Sequence, residues 1–249
     1  MNETLIALVL FLCLAVSSLG SLAIYERLPA RYRGDDTQNV VRLIAGIFSV
    51  MTSLLLGLMI NSAKNTLESV DRNVHAYAIG LIVLDRTLRE YGPEAMPARE
   101  HLLKYAQRAA HRTQHDDLLI ADRETENMFY GVSNSLKAIE PRDRERTALW
   151  QAARQQHQKL LELRWVIVEQ SEGTIPAPIL VMLVAWLMLI FASFGFRAPR
   201  NAVVVASFLV ASALMAAAVY LIIDMDAPFG GPIQVSAAPL ERAVAEMQR

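Results

Sequence analysis

The sequence has a single cysteine, and no charged residue interrupts its four longest apolar runs. Cys13 has no second thiol to pair with, which excludes an intramolecular disulfide. No phosphate-binding loop, Walker motif or nucleophile elbow occurs, and the net charge of −1 comes without a basic arm. The apolar runs also lack the acid or histidine that proton- and ion-coupled carriers usually keep inside a span. These absences argue against an enzyme, a secondary transporter and a nucleic-acid-binding protein.

Four apolar runs dominate the composition, which is 53% hydrophobic. An average soluble domain has about 45–50% apolar residues. A helix needs about 20 residues to cross a hydrocarbon core of roughly 30 Å, and each run has close to that length. We therefore predict a multi-pass protein integral to the cell (inner) membrane and its lipid bilayer. The spans are expected at about 5–24, 43–60, 177–196 and 202–223.

The first run has an alternative interpretation as a secretory signal. A signal peptide carries a basic segment followed by an apolar stretch of about 7–15 residues. No Lys or Arg precedes the first run, and the run itself covers residues 5–24. The sequence therefore favours an uncleaved span.

Between spans two and three, residues 61–174 hold most of the charged residues. Seven apolar residues follow a three–four spacing without a miss, which is the seam of a coiled-coil-like helix. These seam residues are Leu67, Val70, Val74, Tyr77, Leu81, Leu84 and Leu88. No strand pattern occurs. We predict an all-α membrane protein with four transmembrane helices and a water-soluble helical domain inserted between spans two and three.

Helix breakers set the expected boundaries. No proline interrupts the stretch 43–90, so span two is expected to continue as one helix until a turn at 91–97. Further helices are expected after Pro97 and from about Pro141, and the region 116–138 is expected to form one broken helix. The predicted parts are a first hairpin (1–60), the helical domain (61–174), a second hairpin (175–223) and a Pro/Gly turn with a short amphipathic helix (224–249).

Charges in the short loops bear on orientation. The positive-inside rule counts basic residues in short loops and discounts long domains. The two short loops carry Arg27, Arg31, Arg33 and Arg200, and no basic residue precedes span one. The rule therefore favours cytoplasmic loops, with the helical domain and both termini outside the cytoplasm.

Several stretches occur together in an order that resembles a known family. They are "ERLPARYRGDDTQNVVRL" with "LLLGLMINSAK", "LIVLDRTLREYGPEAMPAR", "RWVIVEQSEGTIPAPILVMLVAWLMLIFASFGFRAPRNA" and "LIIDMDAPFGGPIQVSAAPL". In this order they resemble bacterial membrane proteins of undefined function that are labelled bestrophin-like. The resemblance covers nearly the whole chain and is weakest over about 105–160.

The label points to bestrophins, which are pentameric anion channels with a span–span–domain–span–span layout. The resemblance therefore implies a homo-oligomer and a pathway for ions. No bestrophin filter motif can be assigned to this chain residue by residue. Bestrophins hold their large domain in the cytosol, which disagrees with the orientation that the loop charges favour.

One face of span two carries small and polar residues at intervals of three or four. We name this set the stripe, and it consists of Gly46, Ser49, Ser53, Gly57, Asn61 and Lys64. Small residues let membrane helices approach closely, so helix packing is one interpretation. The other is a pore lining in a ring of subunits, with Lys64 favouring anions at the mouth. The resemblance supports the second, because bestrophins line their pore with the second helix.

Asp224 and Asp226 directly follow span four. An acid at a helix C-terminus opposes the helix dipole, at a cost of about 0.3–1 kcal/mol when exposed. We interpret the two as membrane-boundary charges, and pairing with Arg164 or Lys64 and a cation site are the alternatives. A Gly–Pro turn is then expected to fold the tail back, with Ser236 as the N-cap of the last helix.

His111 and His115 are four residues apart, a spacing that is compatible with metal binding. Their segment, "HRTQHDD", lacks the Glu of an H-E-x-x-H motif, and no second Cys or His pair is near. A solvated helix face is the preferred interpretation, and no metal or cofactor is predicted. Asp85 and Arg86 suit docking of a subunit or of the tail better than catalysis.

Two functions from different classes remain open. The first is a homo-oligomeric, bestrophin-like ion channel lined by the second span. The second is a non-conducting membrane sensor or scaffold that acts through its helical domain. The stripe separates them, because added bulk there closes a pore but only disturbs packing in a scaffold.

Overall fold

The computed structural model describes residues 3–25, 27, 29, 34–112, 123–171, 175–196 and 198–249. Every regular element in these ranges is helical, which confirms the all-α prediction. The α-helices are α1 (Glu3–Tyr25), α2 (Asp35–Tyr91), α3 (Met96–Arg112), α4 (Arg123–Lys137), α5 (Arg144–Glu169), α6 (Ala177–Gly195), α7 (Ala202–Asp226) and α8 (Ala238–Met247). A 3₁₀ turn, Pro93–Ala95, separates α2 from α3.

Four of these helices, α1, α2, α6 and α7, are long and apolar enough to cross a membrane. The prediction of four spans is thereby confirmed. The chain divides into two compact units. The membrane unit comprises Met1–Lys64 and Thr174–Asp226, and the helical unit comprises Asn65–Gly173 and Ala227–Arg249.

In the membrane unit, α1 packs against both α6 and α7. Buried Leu14, Leu183 and Leu187 belong to the apolar core of this unit. A polar contact adds to it, because the Ser17 hydroxyl donates to the Met188 carbonyl at 2.6 Å. Such side-chain hydrogen bonds between membrane helices contribute about 0.6 kcal/mol on average.

The helix α2 is a single element of 57 residues. The continuous helix predicted over 43–90 is present, and it begins earlier, at Asp35. No proline occurs within it, so no backbone N–H is missing from its hydrogen bonds. Its seam residues lie in the core of the helical unit: Leu67 is partly buried, and each of the others is at most 2% exposed.

The chain turns sharply after α2. Gly92 has a φ of +105°, a conformation that residues with a Cβ rarely adopt. The predicted turn at 91–97 is therefore present, but α3 begins at Met96, before Pro97 and not after it. Proline is tolerated there because an N–H in the first turn has no partner within the helix.

The helices α4 and α5 also differ from expectation in their bounds. Of the region 116–138, expected as a broken helix, residues up to 122 lie outside the described ranges, and the rest belongs mainly to α4. The helix expected from about Pro141 begins at Arg144. Its N-cap is Asp143, whose carboxylate accepts a hydrogen bond from the Arg146 N–H at 2.7 Å. This cap fixes the start of α5 three residues after the proline.

The last helix lies on the helical unit, where it packs against α3. Its N-cap is Ala237, so the predicted N-cap at Ser236 is wrong by one residue. The Ser236 hydroxyl oxygen nevertheless accepts a hydrogen bond from the Ala238 N–H at 3.2 Å. The serine thus stabilises the start of α8 from just outside the helix.

Candidate functional site

The stripe lies on the part of α2 that belongs to the membrane unit. Ser49 is half-buried, and the other five stripe residues are exposed. A different face of the same segment is buried, through Ala45, Thr52, Met59 and Ala63. The stripe therefore lies beside the buried face of α2 and is largely exposed.

Two glycines show how open this face is. A Cβ built at Gly46 or at Gly57 has nothing within 4 Å of it. In a close helix–helix contact such an atom meets the neighbouring helix, as it does at Gly195. The described residues of the chain thus provide no closely packed helix against the stripe at these two positions, which weakens the packing interpretation within one subunit.

A cation lies near each end of the stripe. Arg42 precedes Gly46 by four residues and so lies on the same face of α2. The sequence prediction of the stripe did not include Arg42, although its spacing could have identified it. Arg42 lines a cleft of about 500 Å³ together with Gly46, Ser49 and Ser193. A basic side chain thus lies at each end of the stripe, Arg42 just before Gly46 and Lys64 as its last residue.

The two acids of span four lie inside the last turn of α7, which ends at Asp226 and not at the predicted residue 223. Both side chains are buried, with Asp224 0% and Asp226 3% exposed. Asp226 Oδ2 accepts a hydrogen bond from the Ile175 N–H at 2.9 Å, just before α6. The helix α7 thus includes both acids, and Asp226 anchors the entry to α6. Their role as membrane-boundary charges stays a prediction.

The histidine pair cannot be placed in the fold. His115 and the side chain of His111 lie outside the described residues. Among the residues that are described, no group of three or more His, Cys, Asp or Glu is arranged to hold a metal ion.

A buried carboxylate on α2 organises the docking of the tail. Asp85 is 2% exposed; its Oδ1 accepts a hydrogen bond from Arg99 Nε at 2.9 Å, and its Oδ2 forms an ion pair with Arg89 Nε at 2.7 Å. Both arginines also donate to the carbonyl of Met247, at the end of α8. We name Asp85, Arg89 and Arg99 the tail clasp. It supplies donors to a helix C-terminus, where carbonyls lack partners within the helix.

The neighbouring Arg86 pairs with Glu246 of the same tail helix at 3.1 Å. Apolar contacts complete the docking, since Leu240, Ala243 and Met247 are at most 1% exposed. The prediction that Asp85 and Arg86 suit tail docking is confirmed. The arginine from α3 was not foreseen, because nothing in the sequence says which helix faces α2.

The helical unit also contains buried tyrosine and histidine side chains that the sequence did not identify as buried polar groups. The hydroxyls of Tyr77 and Tyr105 share a hydrogen bond, and burial raises the pKa of both tyrosines. His157 stacks on Phe129 with ring centroids 4.4 Å apart, and burial lowers the pKa of this histidine. The tyrosines and the histidine are therefore neutral near pH 7. Tyr77 was expected in the seam only as an apolar residue.

Known proteins share this architecture. A family model described as a Bestrophin-like domain matches residues 11–240. No curated protein matches the chain. Two single-substitution variants of a bacterial Bestrophin homolog from Klebsiella pneumoniae have similar structures, with TM-scores of 0.66 and 0.64 at 12% and 11% identity. Each similarity covers 97% of this chain and 97% of the other chain.

A further solved structure, described as that of a membrane protein, has a TM-score of 0.65 at 11% identity and also covers 97% of both chains. At such low identity these likenesses show the fold alone. The family model, in contrast, matches nearly the whole chain. This chain is a membrane protein that belongs to the Bestrophin-like family.

Proposed function

We propose that the chain is one subunit of a homo-oligomeric ion channel whose pore is lined by α2. The observation that carries this proposal is the stripe, an exposed face of small and polar residues with open space at Gly46 and Gly57. Polar groups are costly to expose to lipid. A water-filled path along the axis of a ring of subunits gives this face a polar environment. Membership of the Bestrophin-like family supports the proposal, since bestrophins are pentameric channels.

The poor coverage of α2 also supports assembly. In its most apolar window 11% of the residues are buried, against 28%, 22% and 17% for α1, α6 and α7. The exposed surface of α2 is therefore available for contact with lipid and with further copies of the chain. A closed ring of copies covers the sides of α2 and turns the stripe towards the axis.

The charges at the ends of the stripe favour anions. In a ring, Arg42 and Lys64 each repeat once per subunit and form two basic rings. Rings of Arg or Lys select for anions in pores. Chloride is therefore the ion with which we expect conduction to be detected first.

The proposal is tested by a bulky substitution in the stripe, Ser53→Trp. Because Ser53 is exposed, the indole is accommodated by the subunit but blocks a narrow axis. We expect chloride efflux from proteoliposomes to fall at least about tenfold, the result of raising the barrier by about 1.4 kcal/mol. The oligomeric mass in detergent and the thermal unfolding midpoint are expected to stay unchanged.

Met51→Trp is the matched control. Met51 is 47% exposed and lies two residues from Ser53, about 200° around the helix. It therefore receives the same bulk on a face that does not line the pore, and its efflux should equal that of the wild type. Wild-type vesicles that release chloride no faster than protein-free vesicles would falsify the channel and favour the non-conducting scaffold. Equal loss of efflux in both variants would instead contradict the assignment of the stripe as the lining.

The orientation is part of this proposal. On the loop arginines, we place the helical unit and both termini outside the cytoplasm. In a Cys13→Ala background, Gln155→Cys in the helical unit should react with a membrane-impermeant maleimide on intact inner-membrane spheroplasts. Pro199→Cys, in the loop between α6 and α7, should react only after lysis. The reverse pattern would place the helical unit in the cytosol, as in bestrophins.

A further inference from the structure

A cavity of about 200 Å³ lies between α4 and α5 in the helical unit. Its charged and amide-bearing lining consists of Glu126, Lys137, Arg154, His157, Gln158 and Arg164. Its apolar lining includes Phe129, Leu136 and Leu161. None of these residues belongs to the stripe or to the tail clasp, so neither conduction nor tail docking accounts for the cavity.

The charge of the lining selects for an anion. Among the described residues of the lining, Lys137, Arg154 and Arg164 are cationic and Glu126 is the single acid, which leaves an excess of two positive charges. His157 adds none near pH 7, because burial lowers its pKa. Arg154 lies with its guanidinium carbon 4.7 Å from the centre of the Trp150 ring, a contact that restrains its direction. Arginine is the side chain best suited to bind a carboxylate through two parallel hydrogen bonds.

The apolar part of the lining favours a ligand that carries an aromatic ring. The Phe129 and His157 rings are stacked on each other, with an angle of 16° between their planes, and both line the cavity next to the basic groups. An apolar cavity of about 150 Å³ is large enough to hold benzene. The present cavity is somewhat larger, which leaves room for a carboxylate on such a ring.

We propose that this cavity binds a small carboxylate that carries a single ring, of which benzoate is the simplest example. The ring occupies the space beside Phe129, and the carboxylate reaches Arg154 and Arg164. Inorganic phosphate leaves the apolar walls without contact, and an acid with several rings exceeds the volume. The inference does not depend on whether the protein conducts ions.

Isothermal titration of the purified full-length protein with benzoate tests the proposal. We expect a dissociation constant of about 1 mM or tighter, which is a realistic range for so small a ligand. Arg154→Gln should weaken binding about tenfold or more, the effect of losing a charge-assisted hydrogen bond. Arg154 is exposed at the rim, so this variant should retain the thermal stability of the wild type. Ser133→Phe, which fills the cavity from α4, should abolish binding.

Three controls separate this site from weaker explanations. Arg144→Gln changes an exposed arginine of α5 that does not line the cavity, and its affinity should equal that of the wild type. Benzamide has the ring without the charge and should bind at least about tenfold more weakly than benzoate. No heat of benzoate binding, equal affinity for benzamide, or tighter binding of inorganic phosphate would each overturn the proposal.

Discussion

Gly195→Ala in α6 is expected to disrupt the membrane unit more than an alanine at any other described glycine of this unit. The added Cβ would lie 2.2 Å from the carbonyl oxygen of Ser18 and 3.1 Å from Cβ of Ser21, both on α1. The first of these atoms is backbone, so no rotation of a side chain relieves the clash. The helices α1 and α6 would have to move apart.

We expect Gly195→Ala to lower the free energy of unfolding by about 3 kcal/mol, at the upper end of what overpacking usually costs. The loss has two sources, the strain itself and the weaker van der Waals contact along two separated helices. The measurement is the thermal unfolding midpoint in detergent, together with the yield of monodisperse protein.

Gly20→Ala in α1 is the control, because a Cβ at Gly20 has nothing within 4 Å. It introduces the same methyl group into the partner helix of the same pair and removes a helix-destabilising glycine. Its midpoint is expected to equal or slightly exceed that of the wild type. If the two alanine variants have the same stability, the close approach of α1 and α6 at Gly195 is wrong.

Asp85→Asn is expected to release the tail from the helical unit. The substitution keeps the size of the side chain but replaces one carboxylate oxygen by an NH2 group, which faces the donors of Arg89 and Arg99. Removing one partner of a buried ion pair costs about 3–5 kcal/mol. The side chains of Arg89 and Arg99 are 36% and 23% exposed and regain some hydration, so the lower end, about 3 kcal/mol, is expected.

Two measurements report on this change. The thermal unfolding midpoint should fall, and trypsin should cleave faster after Arg242, an exposed residue within α8. Asp71→Asn is the matched control, since Asp71 also pairs with the residue four positions later on α2, His75, but at 3.5 Å and with 45% of its side chain exposed. Exposed pairs of this kind contribute about 0–1 kcal/mol. Equal tryptic cleavage in the two variants would show that the tail clasp does not hold α8.

The parts of the fold that follow from one helix alone were predictable. Uncharged runs of membrane length identify spans, and a three–four spacing identifies the seam of α2, because each depends only on the geometry of a single helix. Contacts between helices were not predictable in this way. Ser18 and Ser21 are small residues on α1 just as Ser49 and Ser53 are on α2, yet among the described glycines Gly195 contacts the first pair and none contacts the second.

The same limit applies to the candidate site. Spacing placed the stripe on one face, but small residues serve close packing and pore lining equally, so their exposure had to come from the structure. Hydropathy ended span four before Asp224 and Asp226, because it stops at the first charge, whereas the helix α7 continues through both acids. A helix continues through acids when their side chains are buried and hydrogen-bonded, as with Asp226 and the Ile175 N–H.

The helical unit is built from residues that are synthesised at different times. Its apolar core includes Val235, Leu240, Ala243 and Met247, which follow α6 and α7 along the chain. Translation adds about 5–20 residues per second, so the surface that will receive α8 stays uncovered for seconds after α5 has been made. Chaperones recognise apolar surface of this kind. A nascent chain of this protein therefore has to be protected until its second pair of spans has been completed, and a stalled ribosome would leave it exposed to proteases.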